Sequence, residues 1–355
     1  MSDKLKQCRE QIDRIDDELL KLLNQRAALA QEIGHLKDGD TVLRPEREAQ
    51  VLQRVARANG GPLPAASITT LFTEIMSHCR ALEAPLSVAY LGPAGTFSEA
   101  AMNKRFGHAS NGVPCASIDE VFREVESGEV NYGMVPVENS SEGAVGRTLD
   151  LLLQSPLKLC GEVMLPVHQC LLSHATDLTQ IERVYSHPQS LGQCQGWLNA
   201  HLPQAERVPV ASNAEAAALA AEQGGRAAAI AGRTAAEKYD VPVRAENIED
   251  DPRNTTRFLV IGNQDVAPSG RDKTSLVMSA ANRPGAVHDL LVPLAKHGVS
   301  MTKLESRPAR SGMWEYVFFV DLEGHQADAK VAAALDELKQ VAALLKVLGS
   351  YPVAV

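Results

Sequence analysis

The sequence predicts a multidomain protein that joins an all-α segment to α/β segments. Three observations support this fold class: an alternating three- and four-residue apolar spacing near the N-terminus, short apolar strands alternating with helices after Pro85, and a strand–helix–strand–strand–helix–strand order at the end. We therefore expect a helical domain at 1–84, an α/β domain at 86–264 and a small C-terminal domain at 273–355.

The composition argues against several functional classes. The 355 residues carry a net charge of -9, whereas a nucleic-acid-binding protein needs a basic face. We see no signal peptide and no apolar run long enough to span a membrane, and the six cysteines lack the spacing of a zinc site. We expect a cytoplasmic protein with reduced thiols and without a cofactor, metal, nucleic-acid partner or membrane partner.

The first predicted element is a long helix in which one residue does not fit. Its apolar residues follow the seam of a helical bundle, and Arg26 occupies a seam position; the seam comprises Ile12, Ile15, Leu19, Leu22, Leu29, Ile33 and Leu36. A buried arginine is costly to desolvate unless an anion meets it. The seam therefore predicts either a buried partner carboxylate or a site for an anionic ligand.

Two shorter helices follow the long one. Pro45 opens the first of them with Glu46 and Glu48 in its first turn, where the helix dipole favours acids, and residues 60–64 separate it from the second. Three helices with one narrow seam cannot close a good core alone. We therefore expect a helical dimer.

The N-terminal candidates for binding an anion are Arg9, Arg26, Lys37 and Arg47. Arg26 and Lys37 share one helix face to within roughly 20° and lie about 16 Å apart along the axis. Arg9 lies about 25 Å from Arg26 on another face, so it cannot serve the same ligand from the same chain without help, whereas in an antiparallel dimer it could serve the partner's site. Taken singly, such cations are usually solvated surface charges, and only Arg26 departs from that rule.

The middle segment alternates strands and helices, and we expect its sheets to be mostly parallel. The predicted strands are 87–91, 132–137, 183–185, 227–231 and 258–261. Capping boxes predict three helix starts, at Thr96 with Glu99, Ser117 with Glu120, and Ser212 with Glu215.

Polar motifs stand where these strands end, which is the usual ligand-binding edge of an α/β sheet. They are Gly92–Ser98, Pro136–Gly143, Ser186–Gln189 with Gln193, and Asn254–Phe258. Each motif alone is more often structural, and His187 fits a structural role as well as an acid–base role. The helix start at Thr96 is a plausible carboxylate site.

The C-terminal segment follows the ferredoxin-like βαββαβ order. Its predicted strands are 275–279, 301–305, 316–322 and 347–351, and its predicted helices are 285–296 and 327–344. Pro284 and Gly285 open a helix whose N-terminal amides can hold a carboxylate. We expect a regulatory domain, with a simple dimerisation sheet as the alternative.

The N-terminal cations, the string Arg44–Glu48 and a third helix ending in Glu83 resemble the all-helical chorismate mutase family. The resemblance implies that the partner's Arg9, together with Arg26 and Arg47, holds the two substrate carboxylates. It further implies that Lys37 donates to the ether oxygen and that Glu48 contacts the hydroxyl group.

Two positions depart from that family pattern, because Cys79 and Glu83 stand where some members have serine and glutamine. Glutamine always donates a hydrogen bond to the ether oxygen, whereas glutamate donates only when it is protonated. We therefore expect mutase activity to decline as pH rises, and the substitution Glu83→Gln to flatten that profile.

The middle motifs, in this order, resemble the catalytic domain of prephenate dehydratases. The resemblance implies two α/β subdomains around a cleft, as in periplasmic binding proteins. It also implies Thr256 as the central catalytic hydroxyl, with Arg257 nearby and a cleft lined by Glu138, Asn139, Ser186 and Gln193. Loss of water and carbon dioxide from prephenate requires a proton donor for the departing hydroxide and cation-poor surroundings for the leaving carboxylate.

The C-terminal motifs resemble the phenylalanine-binding segments of ACT domains. The resemblance implies feedback inhibition by L-phenylalanine bound at Asn282, Pro284, Gly285, Ala286, Val287, Glu305, Ser306, Arg307 and Pro308.

Together the three resemblances span essentially the whole chain. They imply a bifunctional enzyme that converts chorismate through prephenate to phenylpyruvate, as a homodimer or homotetramer. The alternatives are a monofunctional dehydratase with a dimerising helical domain and a non-enzymatic amino-acid sensor.

Overall fold

The computed structural model describes residues 3–36, 43–281, 283–308 and 316–354. The N-terminal domain consists of α1 (Asp3–Leu36), α2 (Pro45–Ala58) and α3 (Ala65–Glu83), and α3 packs against both α1 and α2. No residue of α1 is buried. The three predicted helices are therefore present, and the apolar seam of α1 is open to solvent in the single chain.

The α/β domain follows α3 after a short connection that contains the buried Leu86. Its elements in chain order are β1 (Ser87–Leu91), α4 (Phe97–Phe106), β2 (Asn111–Cys115), α5 (Ile118–Ser127), β3 (Tyr132–Asn139), β4 (Gly143–Ala144), α6 (Gly146–Gln154), β5 (Lys158–Pro166), β6 (Cys170–Leu172), β7 (Arg183–Ser186), α7 (Pro188–Gln193), α8 (Gln195–His201), β8 (Glu206–Pro209), α9 (Asn213–Gln223), β9 (Ala227–Ala231), α10 (Arg233–Tyr239), β10 (Val243–Ala245) and β11 (Thr255–Gly262).

These strands form two mixed sheets, so the prediction of mostly parallel sheets was wrong. The first sheet has the order β2–β1–β3–β11–β5, with β4 beside β3, and the second has the order β10–β6–β9–β7–β8. Parallel pairs occur at β1–β2, β1–β3, β7–β8 and β7–β9, whereas β11 is antiparallel to both its neighbours and β6 is antiparallel to β9 and β10. The chain leaves the first sheet after β5 and returns as β11, and this return reverses the strand direction.

Two of the three predicted capping boxes are present. Ser117 Oγ accepts from Glu120 N at 3.2 Å, and Ser212 Oγ accepts from Glu215 N at 3.0 Å. At α4 the hydroxyl of Thr96 does not accept a hydrogen bond from the first turn of the helix. Thr96 Oγ1 instead donates to Leu91 O at 3.1 Å. The hydroxyl of Thr96 thus ties α4 to the end of β1 and does not cap the helix.

The C-terminal domain has the predicted ferredoxin-like order. Its elements are β12 (Asp272–Ser279), α11 (Ala286–Lys296), β13 (Met301–Pro308), β14 (Tyr316–Glu323), α12 (Ala329–Val341) and β15 (Leu344–Pro352), and the antiparallel sheet has the order β13–β14–β12–β15. The helix predicted to reach residue 344 ends at Val341. Ala343 N donates to Ser279 O at 2.8 Å, so the chain has already joined the sheet.

A buried ion-pair network joins the α/β domain to the C-terminal domain. The guanidinium of Arg257 pairs with Glu162 of its own domain at 2.9 Å and with Asp321 at 2.5 Å, and it donates to Tyr351 Oη at 3.0 Å. Burial raises the pKa of Tyr351, which keeps its phenol neutral. Because each charge has a partner, the network can stay buried at the interface.

Candidate active sites

A cavity of about 380 Å³ lies between the two α/β sheets. The chain crosses between the sheets twice, and the two crossings are joined by hydrogen bonds from Val167 N to Asn254 O at 2.8 Å and from Ile248 N to Gln169 O at 3.0 Å. Gly95, in the turn before α4, has φ +91°, and a Cβ there would lie 3.3 Å from Ala235 Cα. Glycine therefore lets the β1–α4 turn approach the second subdomain closely.

One wall of the cavity is organised by the amide of Asn139 at the end of β3. Asn139 Nδ2 donates to Thr256 Oγ1 and to Asn254 Oδ1, each at 2.8 Å. Its Oδ1 accepts from Ser141 N at 2.9 Å and from Glu142 N at 3.2 Å. Since Thr256 Oγ1 accepts from Asn139, its own proton can be donated to a molecule in the cavity.

The opposite wall is a network of uncharged polar side chains. Gln169 Nε2 donates to Ser190 Oγ at 3.0 Å and, more weakly, to Gln193 Oε1 at 3.4 Å. Asn213 Nδ2 donates to the same Ser190 oxygen at 2.8 Å. These contacts orient the amides of α7 and α9 toward the cavity.

Three buried amide atoms at the cavity have no hydrogen-bond partner among the described residues: Gln169 Oε1, Gln193 Nε2 and Asn254 Nδ2. Buried polar atoms are normally paired, so unpaired atoms at a cavity indicate a polar ligand or water. No Lys, Arg, Asp or Glu from the described ranges lines this cavity, whereas α4 and α9 begin at it. Negative charge in the ligand would therefore be met by helix N-termini and amide groups.

In the helical domain, the structure brings the end of α3 against α1. A Cβ on Gly34 would lie 2.5 Å from Glu83 Cγ, so these two helices are in close contact at Glu83. Arg26 is half-buried on α1, about 12 Å along the axis from Gly34. Arg9 and Arg47 are exposed, and Lys37 lies outside the described residues.

Glu48 has a different environment from the one that its predicted role would require. Its carboxylate forms an ion pair with Arg80 of α3 and another with Arg105 of α4, the latter at 2.8 Å. Arg80 also donates to Phe106 O at 2.7 Å. Burial lowers the pKa of Arg80, and the attraction of Glu48 opposes that effect. Glu48 thus connects the helical domain to the α/β domain in this conformation.

The two predicted effector-binding segments lie at the same end of the C-terminal sheet. Phe318 of β14 pairs with Met278 on one side and with Ser306 on the other, so β12 and β13 run in the same direction. The loop that follows β12 and leads to Gly285 therefore lies near the end of β13. Asn282 lies outside the described residues.

Three family models match the chain: chorismate mutase type II at residues 8–84, prephenate dehydratase at residues 88–266 and the ACT domain at residues 274–340. The bifunctional chorismate mutase/prephenate dehydratase of Neisseria gonorrhoeae is 54% identical over 349 residues, which are 98% of this chain and 96% of that protein. The chain belongs to the bifunctional chorismate mutase/prephenate dehydratases.

Other relatives agree with this assignment. The protein of the same name from Pseudomonas aeruginosa is 51% identical over 99% of both chains, and the one from Escherichia coli is 34% identical over 97% of this chain and 95% of its own. The crystal structure of the Arthrobacter aurescens prephenate dehydratase in complex with L-Phe matches with a TM-score of 0.69 and 33% identity, and covers 75% of this chain and 90% of that one. The predicted family, fold class and two enzymatic activities in phenylalanine biosynthesis are thus confirmed.

Within the dehydratase domain, the structure brings only some of the predicted residues to the cavity. Thr256, Asn139 and Gln193 line it. Ser186 does not: it is fully buried, and its single hydroxyl proton lies between two acceptors, Asn213 Oδ1 at 2.9 Å and Ile230 O at 2.7 Å from the oxygen. Contrary to the prediction, Ser186 orients Asn213 and does not itself line the cleft.

Glu138 and Arg257 of the dehydratase domain also lie away from the cavity. Glu138 precedes Asn139 on β3 and therefore points to the opposite face of the sheet, where Lys303 Nζ approaches its Oε2 to 2.6 Å. Arg257 follows Thr256 on β11 and for the same reason faces the C-terminal domain. The prediction that Glu138 lines the cleft was wrong, and Arg257, predicted to lie near the cleft, follows Thr256 in the chain but directs its side chain to the C-terminal domain.

His187 begins the dehydratase helix α7 and lies at the cavity. Its Nδ1 accepts from Gln189 N at 3.3 Å, so the ring caps the helix. Sequence reasoning missed Gln169, Ser190 and Asn213 as cavity residues. Gln169 stands in no motif, because it lies in a crossing between the sheets, whereas the capping box at Ser212 could have drawn attention to Asn213.

Proposed function

We propose that prephenate binds in the dehydratase cleft and that Thr256 donates a proton to its departing hydroxyl group. The observation that supports this role is the hydrogen bond from Asn139 to Thr256, which occupies the oxygen and leaves the proton for the ligand. A threonine hydroxyl is a weak acid, so its contribution is that of a positioned donor. Among the described residues no lysine or arginine lines the cavity, and such surroundings favour loss of the carboxylate as carbon dioxide because they do not stabilise its charge.

The second carboxylate of prephenate needs a site that stays favourable throughout the reaction. We propose the N-termini of α4 and α9, which begin at the cavity, together with the free donors Gln193 Nε2 and Asn254 Nδ2. Helix N-termini carry unpaired N–H groups and the positive end of the helix dipole. Such a site holds an anion without placing an arginine or lysine beside the carboxylate that leaves.

For the mutase reaction we propose a site that two chains build together. Arg26 and Arg47 of one chain and the partner's Arg9 would hold the two carboxylates of chorismate, with Lys37 and Glu83 at the ether oxygen and Glu48 at the hydroxyl. The exposed seam of α1 supports a dimer at this domain, and the contact of Glu83 with Gly34 supports its place beside α1. To reach the substrate, Glu48 would have to leave Arg105.

We propose that L-phenylalanine inhibits the enzyme by binding at the C-terminal domain, at Asn282, Pro284–Val287 and Glu305–Pro308. The crystal structure of the Arthrobacter relative with L-Phe and the common location of these segments at one end of the sheet support the proposal.

We further propose the domain limits 1–84, 86–264 and 273–355, a cytoplasmic location, and a homodimer or homotetramer.

One coupled assay tests these proposals together. The purified chain is given chorismate, and prephenate and phenylpyruvate are measured over time with and without L-phenylalanine. We expect both products to form and phenylpyruvate formation to fall when the amino acid is added. Failure to consume chorismate, with prephenate still dehydrated, would favour a monofunctional dehydratase, and turnover indifferent to saturating L-phenylalanine would refute the regulatory proposal.

A further inference from the structure

Two cations on one strand of the C-terminal domain hold the segment that connects β3 to α6 in the dehydratase domain. At the β3 end, Lys303 Nζ lies 2.6 Å from Glu138 Oε2. At the α6 end, Arg307 Nη2 lies 3.4 Å from Asp150 Oδ1, and a Cβ on Gly146 would lie 2.8 Å from Arg307 Nη1. Lys303 and Arg307 are four residues apart on β13, so they leave the strand on the same face.

The segment held in this way carries the hydrogen bonds of the cleft. Asn139 immediately follows Glu138, and its Oδ1 accepts from the amides of Ser141 and Glu142 in the same segment. Its Nδ2 donates to Thr256 Oγ1 at 2.8 Å. Glu138 and Asn139 are adjacent in the chain, so a displacement of Glu138 also moves Asn139. The amide of Asn139 orients the hydroxyl of Thr256, the proposed proton donor.

Partial burial makes the Lys303–Glu138 and Arg307–Asp150 ion pairs sensitive to the relative position of the two domains. The side chains of Lys303 and Asp150 are 14% and 17% exposed, whereas those of their partners Glu138 and Arg307 are 39% and 26% exposed. Because Lys303 is the buried member of its pair, its charge is costly without Glu138, and the pair favours one separation of the two domains. The same strand carries Glu305, Ser306, Arg307 and Pro308 of the proposed effector site, so Arg307 belongs both to that site and to the contact with Asp150.

We propose that Lys303 and Arg307 are positioning residues for the dehydratase reaction. From β13 they fix the β3–α6 segment, and through Asn139 they set the direction of the Thr256 hydroxyl. A shift of β13 on effector binding would move Glu138 and lower the rate of dehydration. This inference rests on the proposed role of Thr256, and it assigns Glu138 to domain coupling and not to chemistry in the cleft.

The test uses the full-length enzyme and its two activities. For Lys303→Met, which removes the charge and keeps most of the stem, we expect kcat for prephenate dehydration to fall about tenfold, a loss typical of small misplacements of a reacting group. The KM for prephenate and the mutase activity should stay within about twofold, because neither the amides that bind prephenate nor the mutase site is changed. Lys330→Met, at an exposed lysine of the same domain, is the matched control and should leave all three values unchanged.

A charge exchange separates positioning from catalysis. In the double variant K303E with E138K the pair is restored with opposite polarity, and we expect kcat to return to within about threefold of the original value. Lys303→Arg should also retain most of the activity. Arg307→Met should lower kcat in the same direction, and inhibition by L-phenylalanine should weaken in Lys303→Met.

One set of outcomes would refute the positioning role of Lys303 and Arg307, and a different outcome would refute the proposed dehydratase function. A Lys303→Met enzyme with the original kcat and the original response to L-phenylalanine would refute the coupling. Loss of dehydration in Glu138→Gln that the exchanged pair fails to restore would place Glu138 in the chemistry. If the unmodified chain did not dehydrate prephenate at all, the proposed function itself would fail, whatever the variants did.

Discussion

The dehydratase cleft and the helical mutase domain differ in how much of a site one chain supplies. At the cleft, Asn139, Asn254, Gln169 and Ser190 are buried and held by hydrogen bonds within the chain. In the helical domain, α1 has no buried residue, and its seam is exposed. The cleft is thus built by one polypeptide, whereas the proposed mutase site lies beside a seam that is exposed in the single chain.

The difference follows from the shape of the two domains. Two sheets with a cavity between them enclose a site, whereas the long helix α1, which packs against the single shorter helix α3, leaves an apolar stripe. Burial of one leucine or isoleucine side chain contributes about 1.5–3 kcal/mol, so the exposed seam favours association strongly. Leu22, for example, is 59% exposed in the single chain. We therefore expect the two activities to respond differently to the same perturbations.

The largest expected effect separates the two sites completely. Thr256→Val should lower kcat for prephenate dehydration about a hundred- to a thousandfold, because the variant has no proton to donate and no hydroxyl for Asn139. Mutase activity should be retained. Thr255→Val, next to it on β11, is the control, since the Thr255 hydroxyl is bonded to Arg253 O and not to the cleft network. Substantial dehydration by the Thr256 variant would refute its assignment.

The second effect concerns association. Leu22→Asp should lower mutase activity about a hundredfold, because a buried unpaired carboxylate in the seam costs several kcal/mol. Dehydratase activity should change little, and light scattering should show a loss of association through the helical domain. Asn24→Asp adds the same charge on the opposite side of α1 and should have no such effect. An equal loss of both activities in Leu22→Asp would contradict the independence of the cleft.

The third effect tests the contact that joins the two domains. Arg80→Met should lower the free energy of unfolding by about 2–3 kcal/mol, because Arg80 is buried and binds both Glu48 and Phe106 O. Denaturant unfolding measures the change, and Arg54→Met, at an exposed arginine of α2, is the control. If both variants unfolded alike, Glu48 and Arg80 would not contribute to the domain interface.

The smallest effect concerns the pH dependence of the mutase alone. The proposed role of Glu83 as a donor to the ether oxygen requires its protonated form, so under that proposal we expect mutase activity to decline as pH rises and Glu83→Gln to retain activity at the alkaline end. The dehydratase profile should not change. Glu32→Gln, on the exposed surface of α1, serves as control. Parallel profiles for the original enzyme and Glu83→Gln would argue that residue 83 does not donate to the substrate.

Local signals predicted local structure well. The seam of α1, the capping boxes at Ser117 and Ser212, and the position of Pro45 at the start of α2 depend on neighbouring residues, and all are present. Long-range contacts were harder to foresee. The antiparallel course of β11 follows from the return of the chain from the second sheet, and no local residue indicates it.

Side-chain direction explains the errors at the site. Motifs placed Asn139 and Thr256 at the cleft, but the neighbouring Glu138 and Arg257 were assigned with them, although alternation along a strand sends adjacent residues to opposite faces. What meets those opposite faces is the C-terminal domain, which begins well over a hundred residues after Glu138 in the chain. Only the tertiary structure shows that both charges belong to that interface.

The connection between α3 and β1 has a consequence for the passage of prephenate between the two sites. Three residues, Ala84–Leu86, join these elements, and a span of that length reaches about 10 Å at most. With Leu86 buried and Arg80 bonded to Phe106 O, the two domains cannot swing apart on a tether. The connection between the two domains of one chain is therefore too short, and too well anchored in this conformation, to act as a swinging arm for the intermediate.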